Sequence, residues 1–199
     1  MILQIDDFNL FINKEKIINN LSISLKSNEI LGIFCKSGAG KTSLLNYIAG
    51  IIHENENYYV EGKKSIKENV KISYAFQDSR FIEEISILKN LLICLNKKND
   101  SNNQLASAIL KQVNLIDKAN EKPSKLSGGQ LQRAGVARAL LVPFDLVLLD
   151  EPFAFQDSQN KEILINLISD KVVNSQKAAI IVSHNIEDLQ KLTNKIISF

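Results

Sequence analysis

What this 199-residue chain lacks narrows the field before any motif is considered. It has two cysteines, Cys35 and Cys94, too few for a disulfide framework or a thiolate metal cluster. No apolar run approaches the roughly 18–20 residues that span a bilayer; the best candidate, Ala178 to Val182, has the length of a strand. The opening residues, MILQIDDFNL, carry two carboxylates and no basic flank, unlike a secretory signal. Lys and Arg total 24 against 22 Asp and Glu, a net charge of +2, which argues against a general nucleic-acid binder or a polybasic membrane binder. There is no Pro/Gly/Ser linker and no internal repeat. These absences predict one soluble domain of a reducing compartment, with 45% hydrophobic residues to fill its core. Arginine is scarce too: only Arg80, Arg133 and Arg138 carry a guanidinium. Lysine cannot replace that planar fork, so the two arginines of the 126–141 segment draw attention to it.

Periodic segments alternate in type along the chain. Residues 2–12 and 17–25 read as strands joined by a turn over Asn13, Lys14, Glu15 and Lys16. ILGIFC (30–35) reads as a short apolar strand, followed by a Gly-rich turn and a helix from about Thr42 to Ile51, and KISYAF (71–76) as another strand. Helical periodicity runs through 86–118, broken by a polar loop at 97–103; a second polar stretch, 53–59, also reads as an exposed loop. A further helix is expected from Ser127 to Leu141. DLVLLD (145–150) and AAIIVS (178–183) are continuous apolar runs, the pattern of strands buried on both faces. Between them a helix at 158–173 sets Leu164, Leu167, Ile168 and Val172 on one face, and a short helix at 185–193 precedes the closing KIISF. Strands alternating with helices predict an α/β fold with a mainly parallel sheet.

Lys36-Ser37-Gly38-Ala39-Gly40-Lys41-Thr42, with Ser43 next, lies between an apolar strand and a helix. Glycines there let consecutive N–H groups approach a polyphosphate, and the helix offers its positive N-terminus to the same anion. Lys41 would bridge the β- and γ-phosphates and the Thr42 hydroxyl would ligate Mg²⁺. The P-loop spacing calls for a glycine at position 35, where this chain has Cys35. That position is at the strand exit, so the cradle is expected to survive with some change in turn geometry, and the thiol reads as a small apolar strand-end residue.

Leu126-Ser127-Gly128-Gly129-Gln130, continuing LQRAGVARALL, sets a second anion-binding nest ahead of an Ala-rich helix. With this string the sequence resembles the ATP-binding cassette (ABC) family, whose signature is LSGGQ followed by a QR–x–AR–A helix, and the resemblance covers nearly the whole chain. It implies a single domain, 1–199: a P-loop NTPase core with a mainly parallel sheet, an N-terminal antiparallel β subdomain, and a helical signature-motif subdomain inserted at about 80–140. It implies ATP and Mg²⁺ as cofactors. In a head-to-tail dimer, ATP would lie between one subunit's P-loop (Cys35, Lys36, Ser37, Gly38, Ala39, Gly40, Lys41, Thr42, Ser43) and the other's Ser127, Gly128, Gly129 and Gln130. Carried over residue by residue, Glu151 is the general base, His184 the switch histidine and Gln77 the Q-loop glutamine. Thr42, Gln77 and Asp150 are the metal-associated groups and Asp157 is the D-loop aspartate. The adenine-stacking aromatic is expected at Phe11, with Phe8 as runner-up.

Three departures from the family pattern stand out. Besides Cys35, the D-loop reads Phe153-Ala154-Phe155-Gln156-Asp157, with Gln156 where leucine is usual. The chain also stops at Phe199, one strand beyond His184, so a minimal cassette without a C-terminal regulatory domain is expected. The stretch after Gln77 and the Glu151-Pro152-Phe153 string are similar to small-molecule importers. The resemblance therefore implies a peripheral subunit at the cytoplasmic face of a membrane, docked on separate permease subunits together with an external solute-binding protein. It implies a homodimer by default, no nucleic-acid partner and no transmembrane segment of its own. A lipid-transport cassette, weakly favoured by Gln156, and a soluble iron–sulfur-assembly ATPase are the alternatives. The segment between Thr42 and Leu126 lacks sustained heptads, which excludes cassettes with inserted coiled coils.

Overall fold

Alternating apolar residues in the first 25 positions make a hairpin. In the computed structural model, which describes residues 1–36, 38–52, 55, 57–95, 100–193 and 195–199, β1 (Leu3–Ile12) and β2 (Glu15–Leu25) pair antiparallel, with Ile12 opposite Glu15. Asn13 and Lys14 both take positive φ, 51° and 68°, as a two-residue turn matching the right-handed strand twist requires. The turn is therefore tighter than the four residues expected. After β3 (Glu29–Phe34) and helix α1 (Lys41–Ala49), strand β4 (Tyr58–Ile66) returns to pair with the other edge of β1, giving the order β2-β1-β4. Of the stretch 53–59 expected as a loop, residues 53, 54 and 56 lie outside the described residues, and Tyr58 and Tyr59 open this strand. Of its nine residues only Tyr58 and Val60 are buried, so polar side chains mask the alternation.

The second sheet is built from β3, β5 (Ile72–Ala75), β6 (Leu146–Asp150), β7 (Ala178–Ser183) and β8 (Ile196–Ser198), in the order β5-β6-β7-β3-β8. Every pairing in it is parallel. All residues of β6 and β7 are buried, and period-2 alternation divides them between two cores. Leu146, Leu148, Ile180 and Val182 pack toward the antiparallel sheet and α1. Val147, Leu149, Ala179 and Ile181 pack toward the helices of the opposite face.

Those helices are α2 (Ile87–Ile93), α3 (Asp100–Gln112), α4 (Gly128–Leu141) and α5 (Ser158–Val173), with α6 (Ile186–Gln190) leading to β8. The periodicity expected over 86–118 resolves into α2, α3 and a short 3-10 turn at Ile116–Lys118; part of the polar loop between α2 and α3 lies outside the described residues. Helix α5 has the expected bounds, and Leu164, Leu167, Ile168 and Val172 are buried on it together with Ile165.

Helix α4 is held at three levels, and both of its arginines take part. Near its start Gln132 Nε2 donates to the Glu151 carbonyl at 3.0 Å, tying it to the end of β6. Arg133 Nε donates to the Val113 carbonyl at 3.0 Å. Farther along, Arg138 donates to the carbonyls of Ser79 and Arg80, and its guanidinium lies over the Phe81 ring at 4.4 Å. The guanidinium fork singled out by composition is thus a structural clamp at both sites.

Candidate functional site

The strand order β5-β6-β7-β3 sets four strand ends side by side, and crevices of open α/β sheets form at such carboxyl ends. Gln77 follows β5, Asp150 closes β6 with Glu151 directly after it, His184 follows β7, and the glycine-rich loop follows β3. A cavity of about 910 Å³ opens there, within the usual size of ligand pockets, roughly 300–1,000 Å³. Gly38, Gly40, Lys41, Thr42 and Ser43 line it, facing Gln77, Glu151 and His184.

Gly38 and Gly40 both have φ near +85°, a region L side chains rarely adopt. A Cβ at Gly40 would also lie 2.8 Å from Ile17 Cγ2, whereas one at Gly38 would meet nothing within 4 Å, because that glycine faces open space. The loop then runs into α1, whose first N–H groups and positive dipole end favour an anion. Cys35 and Lys36 sit behind the cavity rather than in it: their carbonyls each accept a hydrogen bond from Lys41 Nζ at 3.2 Å. Burial pushes the Cys35 thiol up to about 11. Ala39 does not line the cavity, and Ser37 lies outside the described residues.

A chain of polar contacts crosses the cavity floor. Lys41 Nζ lies 3.3 Å from Glu151 Oε1, and His184 Nδ1 lies 2.8 Å from Glu151 Oε2. The Glu151 carboxylate is buried while the His184 side chain is 63% exposed, so the imidazole can swing where the carboxylate cannot. Thr42 Oγ1 donates to Asp150 Oδ2 at 2.7 Å. Asp150 Oδ1 is buried and has no hydrogen-bond partner among the described residues. Burial raises the Asp150 pKa, opposed by the Thr42 hydrogen bond and reinforced by the Glu151 charge. A buried carboxylate oxygen with a spare lone pair beside a hydroxyl is a hard oxygen donor set, of the kind that suits a small divalent cation retaining waters and phosphate ligands.

Ser127, Gly128, Gly129 and Gln130 do not line this cavity. Ser127 is exposed and caps α4: its Oγ accepts from Gln130 N at 3.3 Å while its own N–H donates to Gln130 Oε1 at 2.9 Å. Asp157 is likewise exposed and outside the cavity, where it caps α5 by accepting from Asn160 N at 2.8 Å. That hydrogen bond and the one from the Asn160 side chain lower its pKa.

Neither expected aromatic reaches the cavity. Phe11 packs its ring on Tyr59 at 5.4 Å, and Phe8 is a core residue 4.9 Å from the Tyr47 ring. The hairpin instead lines the cavity with Ile12, Asn13, Glu15 and Ile17. Strand alternation is the reason: Phe8, Leu10 and Ile12 share one face of β1 and Phe11 takes the other. The sequence reading also missed Phe155 and Gln156 as lining residues, because a loop has no periodicity from which to read direction.

Comparison with known proteins agrees with this geometry. A family model described as ABC transporter matches residues 18–154. The aliphatic sulfonates import ATP-binding protein SsuB 1 of Paracoccus denitrificans is 32% identical, over 91% of this chain and 72% of its own length. The lipoprotein-releasing system ATP-binding protein LolD of Buchnera aphidicola is 31% identical, over 88% of this chain and 83% of its own. Among solved structures, a dimeric bacterial ABC transporter cassette superposes with a TM-score of 0.84 at 25% identity, covering 100% of this chain and 94% of that one. With the family match spanning more than half of its residues and such relatives covering nearly all of it, the chain belongs to the ABC transporter family as an ATP-binding, ATP-hydrolysing cassette.

Proposed function

We propose that this cassette powers solute transport as a head-to-tail homodimer docked on separate membrane permease subunits at the cytoplasmic face, served by an external solute-binding protein. The observation that carries the dimer is the separation of two half-sites within one chain. The P-loop, Glu151 and His184 line one cavity, while the exposed Ser127 and the first turn of α4 that it caps lie outside it. A second copy supplies the missing half, and one of the similar solved structures is described as a dimeric state bound to ADP and Pi. Among the described residues no helix is long and apolar enough to cross a membrane, and in this reading the membrane path belongs to separate subunits. Relatives of similar identity are named for sulfonate import and for lipoprotein release, so the reading assigns solute choice to the partner subunits.

In this reading the triphosphate of ATP lies along the 38–43 loop. Its phosphates draw Lys41 from Glu151, which frees that carboxylate to take a proton from the attacking water. His184 gives up its bond to Glu151 and holds the water and the γ-phosphate in line. Ser127 and Gly129 of the partner subunit close over the same phosphate. Thr42, Asp150 and Gln77 would hold Mg²⁺, which when bound neutralises phosphate charge. Hydrolysis here is positioning and charge stabilisation, so it waits on assembly of both half-sites.

The transport assignment is tested by purifying the Glu151→Gln variant with ATP from gently solubilised membranes and identifying its companions by mass spectrometry. Multi-spanning permeases in stoichiometric amounts are expected. Recovery only from the soluble fraction, alone or with assembly proteins, would contradict it.

A further inference from the structure

Three hydrogen bonds converge on one side chain at the end of the cavity. Gln156 Nε2 donates to the Gly129 carbonyl at 2.9 Å and to the Ala154 carbonyl at 3.0 Å, and its Oε1 accepts from Arg133 Nη1 at 2.8 Å. Both ends of the amide are used, so neither a carboxylate nor an alkyl group can reproduce it. Its anchor is rigid: Arg133 is 8% exposed, and its Nε is fixed on the Val113 carbonyl. Beside the amide the two backbones touch, since a Cβ at Gly129 would lie 2.5 Å from the Phe155 carbonyl oxygen. Glycine at 129 is therefore required within the chain itself, by the close approach of the 153–157 loop. That loop faces two ways: Phe155 and Gln156 line the chain's own nucleotide cavity, and Gln156 grips the first turn of α4, which exposed Ser127 caps.

We propose that Gln156 is a positioning residue for hydrolysis, clamping the first turn of α4 and its cap Ser127 to the cavity-lining 153–157 loop so that the two move as one body. The pose of Ser127 and Gly129 toward the partner's nucleotide is thereby coupled to occupancy of the chain's own cavity. This rests on the head-to-tail reading above. Leucine, the residue the family pattern favours here, fills similar space and makes none of the three bonds.

The test compares Gln156→Leu, which removes the whole bridge, with Gln156→Glu, which keeps the acceptor for Arg133 but sets an oxygen against two carbonyls. Both variants should still bind MgATP as monomers by calorimetry, because the P-loop is untouched, with Gln156→Glu the weaker of the two since it adds a negative charge to the cavity wall. In both, kcat measured at saturating ATP should fall about tenfold. Amide hydrogen exchange in the monomer should accelerate together in 127–131 and 153–157 and not in 38–45. Parental kcat and exchange in Gln156→Leu would overturn the proposal. So would a joint loss of ATP binding and melting temperature, which marks a bulk structural role. Parental turnover by a protein that remains monomeric under assay conditions would overturn the head-to-tail reading, and the role in trans with it. Paired exchange tells these failures apart, because it reports the clamp in the monomer.

Discussion

Lys41 and Glu151 form a buried ion pair, Nζ to Oε1 3.3 Å, at the centre of the cavity. The cation that a nucleotide's phosphates need and the carboxylate that would activate water are held on each other. In the proposed mechanism phosphate competes with Glu151 for Lys41, and winning that competition would liberate the base.

In that mechanism Glu151→Gln removes the competitor and the proposed base together. The variant should bind MgATP at least as tightly as the parent, while steady-state hydrolysis falls at least about a hundredfold. Without nucleotide it should be less stable to urea by about 1–3 kcal/mol, since Lys41 keeps two carbonyls but loses its charge partner. Equilibrium binding, turnover and urea melts check the three expectations separately.

Asp150 should behave in the opposite sense. Burial raises its pKa above the ordinary 3.8, so its contribution to stability is full below that value and is lost as pH rises through the folded-state pKa. Asp150→Asn avoids the buried charge and should be more stable than the parent at pH 7 by about 1–2 kcal/mol. The gap should close in acid near the unfolded value, and nucleotide binding should lose its response to Mg²⁺. Urea melts at neutral and acid pH, with binding measured with and without Mg²⁺, decide it.

Legibility in the sequence followed from whether a residue's surroundings are local. β6 and β7 were readable because strands buried on both faces are apolar throughout, and α5 because Leu164, Leu167, Ile168 and Val172 repeat at helical spacing. β4 was not, since its partner β1 lies about fifty residues earlier and most of its side chains face water. P-loop, strand-end carboxylate and histidine were found from motif order, and the parallel sheet brings them to one cavity. The Phe11 ring rests on Tyr59 and Ile12 lines the cavity, a division that the alternation of Phe8, Leu10 and Ile12 makes legible. Gln132 and Gln156 carry no local signal: each is defined by backbone carbonyls that only the folded chain brings near.

Cys35 should be inert. Its thiol is 3% exposed and burial raises its pKa to about 11, so little thiolate exists at neutral pH. Iodoacetamide at pH 7.5 should modify exposed Cys94 at least about tenfold faster than Cys35 in the folded protein. Peptide mapping checks this, and ATPase activity should survive the modification.

Two adjacent glycines should respond differently to alanine. A Cβ at Gly129 meets the Phe155 carbonyl oxygen at 2.5 Å, while one at Gly128 meets only Phe155 Cδ2 at 3.9 Å. Gly129→Ala should cost about 1–3 kcal/mol of stability, and Gly128→Ala should cost well under that. Urea unfolding of the two variants makes the comparison.

The central claim, that two copies assemble each nucleotide site from opposite halves, is tested most directly by mixing two inactive variants. Lys41→Ala breaks the phosphate half and Ser127→Arg the signature half, and each alone should be inactive. In a mixed head-to-tail dimer one site carries both defects and the other carries none, so an equimolar mixture should regain about a quarter of parental ATPase activity. A mixture as inactive as its components would contradict the account.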